Sequence, residues 1–172
     1  MWVTAYTDAS FFRKIGTPFG TWGIKLLTED RTPIEQSGVC PPYCDDITKC
    51  EVYAACMAVV HAMSTYKKTI TAVKIITDNN FVFNFLKRGA PMSKNLELVK
   101  MQLMFWEYTT ESGLMIKIDK VAAHSGGNSK HEINNGDVDR AARKELAIEL
   151  HKKGFKKRTQ RQTNSNKRRR RK

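Results

Sequence analysis

A chain of 172 residues, 41% hydrophobic and 27% charged, can bury a core as one domain without disulfide staples. Its net charge of +13 is concentrated: residues 152–172 hold twelve of the thirty Lys and Arg and no acid, which leaves eighteen basic against seventeen acidic residues elsewhere. No apolar run nears the ~20 residues that span a bilayer, MWVTAYTDAS lacks the basic lead of a signal peptide, and Cys40, Cys44, Cys50 and Cys56 without a secretory signal suit a reducing compartment. A membrane span and a secreted disulfide framework are therefore disfavoured, and an intracellular protein of cytoplasm or nucleus is expected.

WVTAYTDAS alternates and is rich in Thr, Val and aromatics, so it predicts a first strand that stops at Asp8. After the GTPFG turn, TWGIKLL and TPIEQSGV predict two more strands joined as an antiparallel meander. CPPYCDD breaks the pattern, and ITKCEVYAACMAVVHAMSTY predicts a helix with Val52, Cys56, Val59 and Met63 on one face. TAVKIIT is a fourth strand that ends at Asp78. NNFVFNFLKRG reads as a short helix closed by Gly89, and SKNLELVKMQLMFWEYTTES as a longer one with Ser93 as its N-cap. LMIKIDKV alternates as a fifth strand. A polar loop, AAHSGGNSKHEINNG, then leads into a last helix, DVDRAARKELAIELHKK. The order βββαβααβα predicts an α/β protein with a five-stranded mixed sheet flanked by helices.

Acids stand at the ends of these elements. Asp8 and Asp78 close strands one and four, Glu51 falls in the first turn of the first long helix, and Asp137 and Asp139 in the first turn of the last. Singly, an acid at a helix start is explained by the helix dipole. Together they can converge at one end of the sheet. A buried carboxylate needs a partner, a proton or a metal.

YTDAS, TKCEVYAACMAV, KIITDNNFVFNFL, KNLEL and VAAHSGGN…NNGDVDRAAR resemble the successive motifs of ribonuclease H, type 1, in order from about Val3 to Arg143. The resemblance implies the ribonuclease H-like fold over residues 1–151 and cleavage of the RNA strand of RNA–DNA hybrids with two divalent ions. It implies Asp8, Glu51, Asp78 and Asp139 as catalytic metal ligands, with Asp137 competing for the last place. It implies His124 as the catalytic loop histidine, on a loop with Gly126 and Gly127, with His131 as the alternative. Asn80 and Asn135 match substrate-binding positions. Two Mg²⁺ ions, which Mn²⁺ can replace, suit this chemistry because a hard dication prefers carboxylate oxygens to His or Cys. A monomer that needs no membrane is expected.

Three features depart from the family. The basic, Trp-rich protrusion of some members is represented here only by KRGAPMSKN. The Asn residues that often precede the helix acid are replaced by DDITKC. The tail is an addition: residues 152–172 are too polar and too charged to order, so a disordered basic tail is expected. Within it Lys167, Arg168, Arg169, Arg170 and Arg171 are candidates to bind nucleic-acid phosphates, and the same run can serve as a nuclear-import signal. The cysteines have the count for a zinc site, but Cys50 and Cys56 point in different directions on a helix, and the spacing fits no zinc knuckle. Trp22, Phe105 and Trp106 read as core. Two other readings keep the fold: a nucleic-acid-binding protein without cleavage, and a metal nuclease acting on DNA, such as a junction resolvase. The four acids argue against the first. YTDAS, TDNN and AHSGG together argue against the second.

Overall fold

The first strand runs past its acid. In the computed structural model, which describes residues 1–13, 16, 18–121 and 129–155, β1 is Trp2–Phe12, β2 Phe19–Leu27 and β3 Ile34–Val39, an antiparallel meander. Helix α1 (Ile47–Tyr66) leads to β4 (Ala72–Thr77). Helices α2 (Asn80–Phe85) and α3 (Leu96–Glu111) lead to β5 (Met115–Lys120), and α4 (Lys130–Lys152) follows. The strand order is β3-β2-β1-β4-β5, with β4 parallel to β1 and β5 parallel to β4. This is the five-stranded mixed sheet that the element order predicts.

Strand alternation sorts the side chains onto two faces. Val3, Ala5, Ile24, Leu26, Val73 and Ile75 form one core with α1 and α3. The sheet-facing side of α1 is largely alanine: Ala54, Ala55, Ala58 and Ala62 are buried beside Val52 and Val59, whereas Cys56 and Met63 of the predicted face are only half-buried. Small side chains let the helix lie close to the sheet. Trp22 and Phe105 are buried, and Trp106 is half-buried against the same core.

The opposite face is covered by α4, which packs Val138 against Tyr6 and Ile76. It rests on β2 at Gly23, the register partner of Asp8. A Cβ on Gly23 would lie 2.6 Å from the Val138 carbonyl oxygen and 3.0 Å from the Ala142 nitrogen. Thr21 Oγ1, two residues away on the same face, donates to the Ala142 carbonyl at 2.7 Å. Lys25 Nζ, two residues the other way, pairs with Asp137 at 2.5 Å and with Glu35 at 3.2 Å.

Three sequence expectations are corrected. Asp8 does not end β1: the parallel ladder to β4 stops at Tyr6–Ile76, but pairing with β2 continues to Phe12–Phe19. Helix α4 begins seven residues earlier than predicted. Ser129 and Glu132 form a reciprocal capping box, and the helix runs through Gly136, so Asp137 and Asp139 lie about two turns in rather than in the first turn. Helix α3 is capped by Asn95, whose side chain accepts from the Glu97 and Leu98 amides; Ser93 instead accepts from the Asn95 amide.

After α4, the Phe155 ring packs on Phe12 with centroids 5.2 Å apart. No helix among the described residues is long and apolar enough to cross a membrane.

The contact at Gly23 predicts a specific cost. Gly23→Ala forces α4 off the sheet, an overpacking worth about 1–3 kcal/mol, read as a lower urea midpoint. A variant as stable as the parent would show that α4 does not rest there.

Candidate active site

The early end of the β1–β4 ladder opens a notch in the sheet. Beyond Tyr6, β1 has no β4 neighbour, and Asp8 stands in this notch on the α4 face. Asp78 follows immediately after β4. Glu51 reaches the same place from α1, which covers the other face. Asp139 comes from α4, brought close by the contact at Gly23.

Asp8 and Glu51 are both 7% exposed. Asp8 Oδ1 accepts the Ala9 amide at 2.7 Å. Burial pushes the Asp8 carboxyl up to about 6, and the charges of Asp78 and Asp139 add to the shift. Burial also pushes Glu51 up to about 9, reinforced by Asp8 and Asp78. At neutral pH the surroundings of Glu51 therefore favour its protonated form. Among the described residues, Glu51 Oε2 is buried with no hydrogen-bond partner.

The remaining acids are positioned by α4. Asn135 is buried, and its Nδ2 donates to Asp78 Oδ2 at 3.1 Å, while its Oδ1 is also buried without a partner among the described residues. Asp139 Oδ1 pairs with Arg143 Nε at 2.6 Å, one helical turn on. Asp137 does not join the acids. It faces β2, where Lys25 and Arg140 hold its two oxygens.

The other candidates are dispersed. Asn80 is exposed at the start of α2, and Asn79 before it caps that helix. His131 lies in the first turn of α4, with Nδ1 2.6 Å from the Tyr6 hydroxyl. His124, Lys167, Arg168, Arg169, Arg170 and Arg171 lie outside the described residues. The sequence reading missed Gly23, Tyr6 and Arg143. The signal for Arg143 was available, since it stands four residues after Asp139 on a helix.

The donor set fits a hard cation. It supplies carboxylate oxygens, one of them orphaned and buried, and two acids whose ionisation is opposed by their surroundings. Among the described residues no three His, Cys, Asp or Glu side chains are already gathered as a metal-holding group.

A sequence model of RNase H matches residues 2–147. The chain belongs to the RNase H family. With that membership comes the enzyme class, a ribonuclease H. The solved structures agree in fold. RNase H1 from the archaeon Halobacterium salinarum superposes with a TM-score of 0.66 at 18% identity, covering 86% of this chain and 99% of that one. LC11-RNase H1, solved in complex with an RNA/DNA hybrid, gives 0.67 at 12% identity, with 86% and 99% covered. The prototype foamy virus protease–reverse transcriptase gives 0.66 at 19% identity, covering 83% of this chain but 20% of that much longer one. Comparison with curated protein sequences returned no match.

The raised carboxyls predict how this RNase H responds to pH in a chelating buffer. A native state that holds protons the unfolded chain has released loses stability as pH rises. The loss starts above the ordinary values of 3.8 for Asp8 and 4.5 for Glu51 and is complete above about 6 and about 9 respectively. Urea unfolding across this range should show the decline, Glu51→Gln should flatten its upper part, and Mg²⁺ should offset it. If Glu51→Gln leaves the profile unchanged, Glu51 does not carry the proton.

Proposed function

We propose that this RNase H hydrolyses the RNA strand of RNA–DNA hybrids as an endonuclease, with two Mg²⁺ ions that Mn²⁺ can replace. The observation that supports this best is the convergence of Asp8, Glu51, Asp78 and Asp139 from four elements into one notch, with a buried Glu51 oxygen left unpartnered. The hybrid bound by LC11-RNase H1 supports the substrate class.

Cations bound in the notch would supply Lewis-acid stabilisation of the negative charge that develops during phosphodiester hydrolysis. The chain's own residues prepare that place. Asp8, Glu51, Asp78 and Asp139 would hold the ions. Asn135 keeps Asp78 oriented through its amide. Arg143 does the same for Asp139 and leaves the carboxylate's second oxygen available. Release of the Glu51 proton accompanies cation binding, since that carboxyl cannot be both a proton carrier and a full ligand. His124 is proposed to move a proton or assist product release; His131 is less suited to this, because its Nδ1 is engaged by Tyr6. Asn80, exposed beside Asp78, is proposed to meet the substrate's base edges.

Labelled hybrid, duplex DNA, duplex RNA and a four-way junction, each with and without Mg²⁺, test the proposal directly. Only the hybrid should be cut, and only with the cation. Cleavage of the junction would move the enzyme to the resolvase-like class, and binding without cleavage would make it a non-cleaving binder.

Asp8→Asn and Asp78→Asn should each abolish hybrid cleavage with the fold intact, because each removes ligand charge but almost no volume. Asp139→Asn should lose most activity. Asp137→Asn should instead lose stability, because it leaves Lys25 with one partner fewer. The reverse ranking of activities would place Asp137 at the site.

The basic tail is proposed to grip the phosphate backbone. Truncation after Phe155, which keeps the Phe12 contact, should weaken hybrid binding. It should also lower the slope of log K against log salt by roughly 0.7–0.9 per lost phosphate contact. An unchanged slope would leave nuclear import as the tail's role, read from where the truncated protein accumulates in cells.

A further inference from the structure

Among the described residues, Arg143 is the cation that touches the four acids, and it stands where a cation competes with the proposed ions. Its Nε lies 2.6 Å from Asp139 Oδ1, one helical turn along α4. The two side chains differ in burial: Asp139 is 16% exposed and Arg143 65%. The acid is fixed at the notch, and the guanidinium is the movable member. An ion pair so exposed on one side is held weakly, because water screens it and a long side chain must be ordered to keep it.

A pocket lies beside the notch on the side of Arg143. Its volume is about 410 Å³, and its walls include Ser10 and Arg13 from the chain past Asp8, Asp46 before α1, and Asp139 and Arg143 of α4. It shares Asp139 with the group of acids, and Ala9, whose amide serves Asp8, also lines it. The charges in its walls are not balanced. Asp46 is occupied as the N-cap of α1, where it accepts the Lys49 amide at 2.9 Å. Arg13 is exposed and has no ion-pair partner among the described residues. Once Arg143 leaves Asp139, the pocket presents two guanidiniums and the Ser10 hydroxyl, a donor set suited to a phosphodiester.

We propose that Arg143 is a latch: it holds Asp139 while the notch lacks cations, and on cation binding it turns into the adjoining pocket and takes a phosphate of the substrate strand next to the one at the notch. The latch rests on the two-ion reading above. Two effects drive the exchange. A dication on Asp139 takes up the charge that holds Arg143 and repels the guanidinium directly. The phosphate then offers that guanidinium a bidentate anion in place of the carboxylate. Arg143 already lines the pocket, so the exchange asks for side-chain rotation and no shift of α4. Cation and substrate then bind cooperatively, because each favours the state in which the pair is open.

Binding of a fluorescent RNA–DNA hybrid to the full chain, followed by anisotropy in Ca²⁺ or in EDTA, tests this. Ca²⁺ takes the same oxygen ligands in a looser geometry. It should raise hybrid affinity, and Arg143→Gln should cost about tenfold with Ca²⁺ and little in EDTA. Arg13→Gln, which breaks no pair, should cost the same factor in both. Asp139→Asn frees Arg143 without a cation, so in EDTA it should bind hybrid more tightly than the parent. The double variant Asp139→Asn, Arg143→Gln should lose that gain. The Arg143 Nε–H resonance, assigned by its absence from Arg143→Gln, should be sharp in EDTA and shifted or broadened by Ca²⁺ before any hybrid is added. An equal cost of Arg143→Gln in both buffers, an Asp139→Asn gain that survives in the double variant, or an Nε–H signal unmoved by Ca²⁺ would each overturn the latch. So would a hybrid affinity that Ca²⁺ does not change. Whether the two-ion reading falls with it is read separately, from the Mg²⁺ dependence of cleavage.

Discussion

The close approach of α4 to β2 at Gly23 governs the geometry of this protein. No side chain larger than hydrogen fits between that strand and the Val138 carbonyl. Because Gly23 lies opposite Asp8 in the ladder, the point of closest approach is also the point at which α4 must deliver Asp139. The helix is held on both sides of this point, by Thr21 Oγ1 on the Ala142 carbonyl and by Lys25 on Asp137. Two acids only two residues apart thus acquire different work. Positions i and i+2 on a helix do not share a face, so when Asp137 turns to Lys25, Asp139 turns to the notch.

The notch exists because two ladders end at different places. Pairing between β1 and β4 stops two residues before Asp8, and pairing between β1 and β2 continues four residues beyond it. A carboxylate can then be buried at mid-strand without crowding a neighbouring strand, and Glu51 can approach from the opposite face of the sheet. The acids oppose one another's ionisation, so the site favours any species that brings positive charge. The raised carboxyl of Glu51 expresses the same preference, since a proton also brings positive charge. The neutral helpers follow the same logic: an amide from Asn135 orients Asp78, and Arg143, the cation that contacts these acids among the described residues, is largely exposed and meets Asp139 at the rim rather than among the buried pair.

Much of the fold was legible because it rests on period-two alternation and on turn residues, which the sequence carries plainly. The boundaries were not, where two signals competed. Asn134, Asn135 and Gly136 read as loop, yet SKHE just before them is a capping box, and the helix forms because the cap and the packing of Val138 outweigh a single glycine. Asp8 read as a strand end because an acid in a buried strand looks like a stop; only the partner strand's end, invisible in β1 itself, explains it. The acids proposed for the site were named from motifs, but the separation of Asp137 from Asp139 depends on Lys25, more than a hundred residues away. The burial of Asn135 against Asp78 likewise depends on how α4 is turned about its axis, which its motif does not encode.

Charge is divided as sharply as geometry. Apart from its last 21 residues the chain is nearly neutral, with eighteen basic and seventeen acidic residues, and several of those acids are spent in ion pairs or in the notch. A folded body this close to neutrality exerts little long-range pull on a polyanion, and the notch itself is locally acidic, which repels phosphate until cations are bound. A strongly basic tail attached at the far end of α4 answers that problem in principle. In the proposed role it would raise the local concentration of nucleic acid, whereas positive side chains set among the carboxylates would pair with the acids and take the place of metal. Carrying the two proposed functions on separate parts of the chain would let the site remain anionic enough for cations while the whole protein, at a net +13, remains cationic enough for a polyanion.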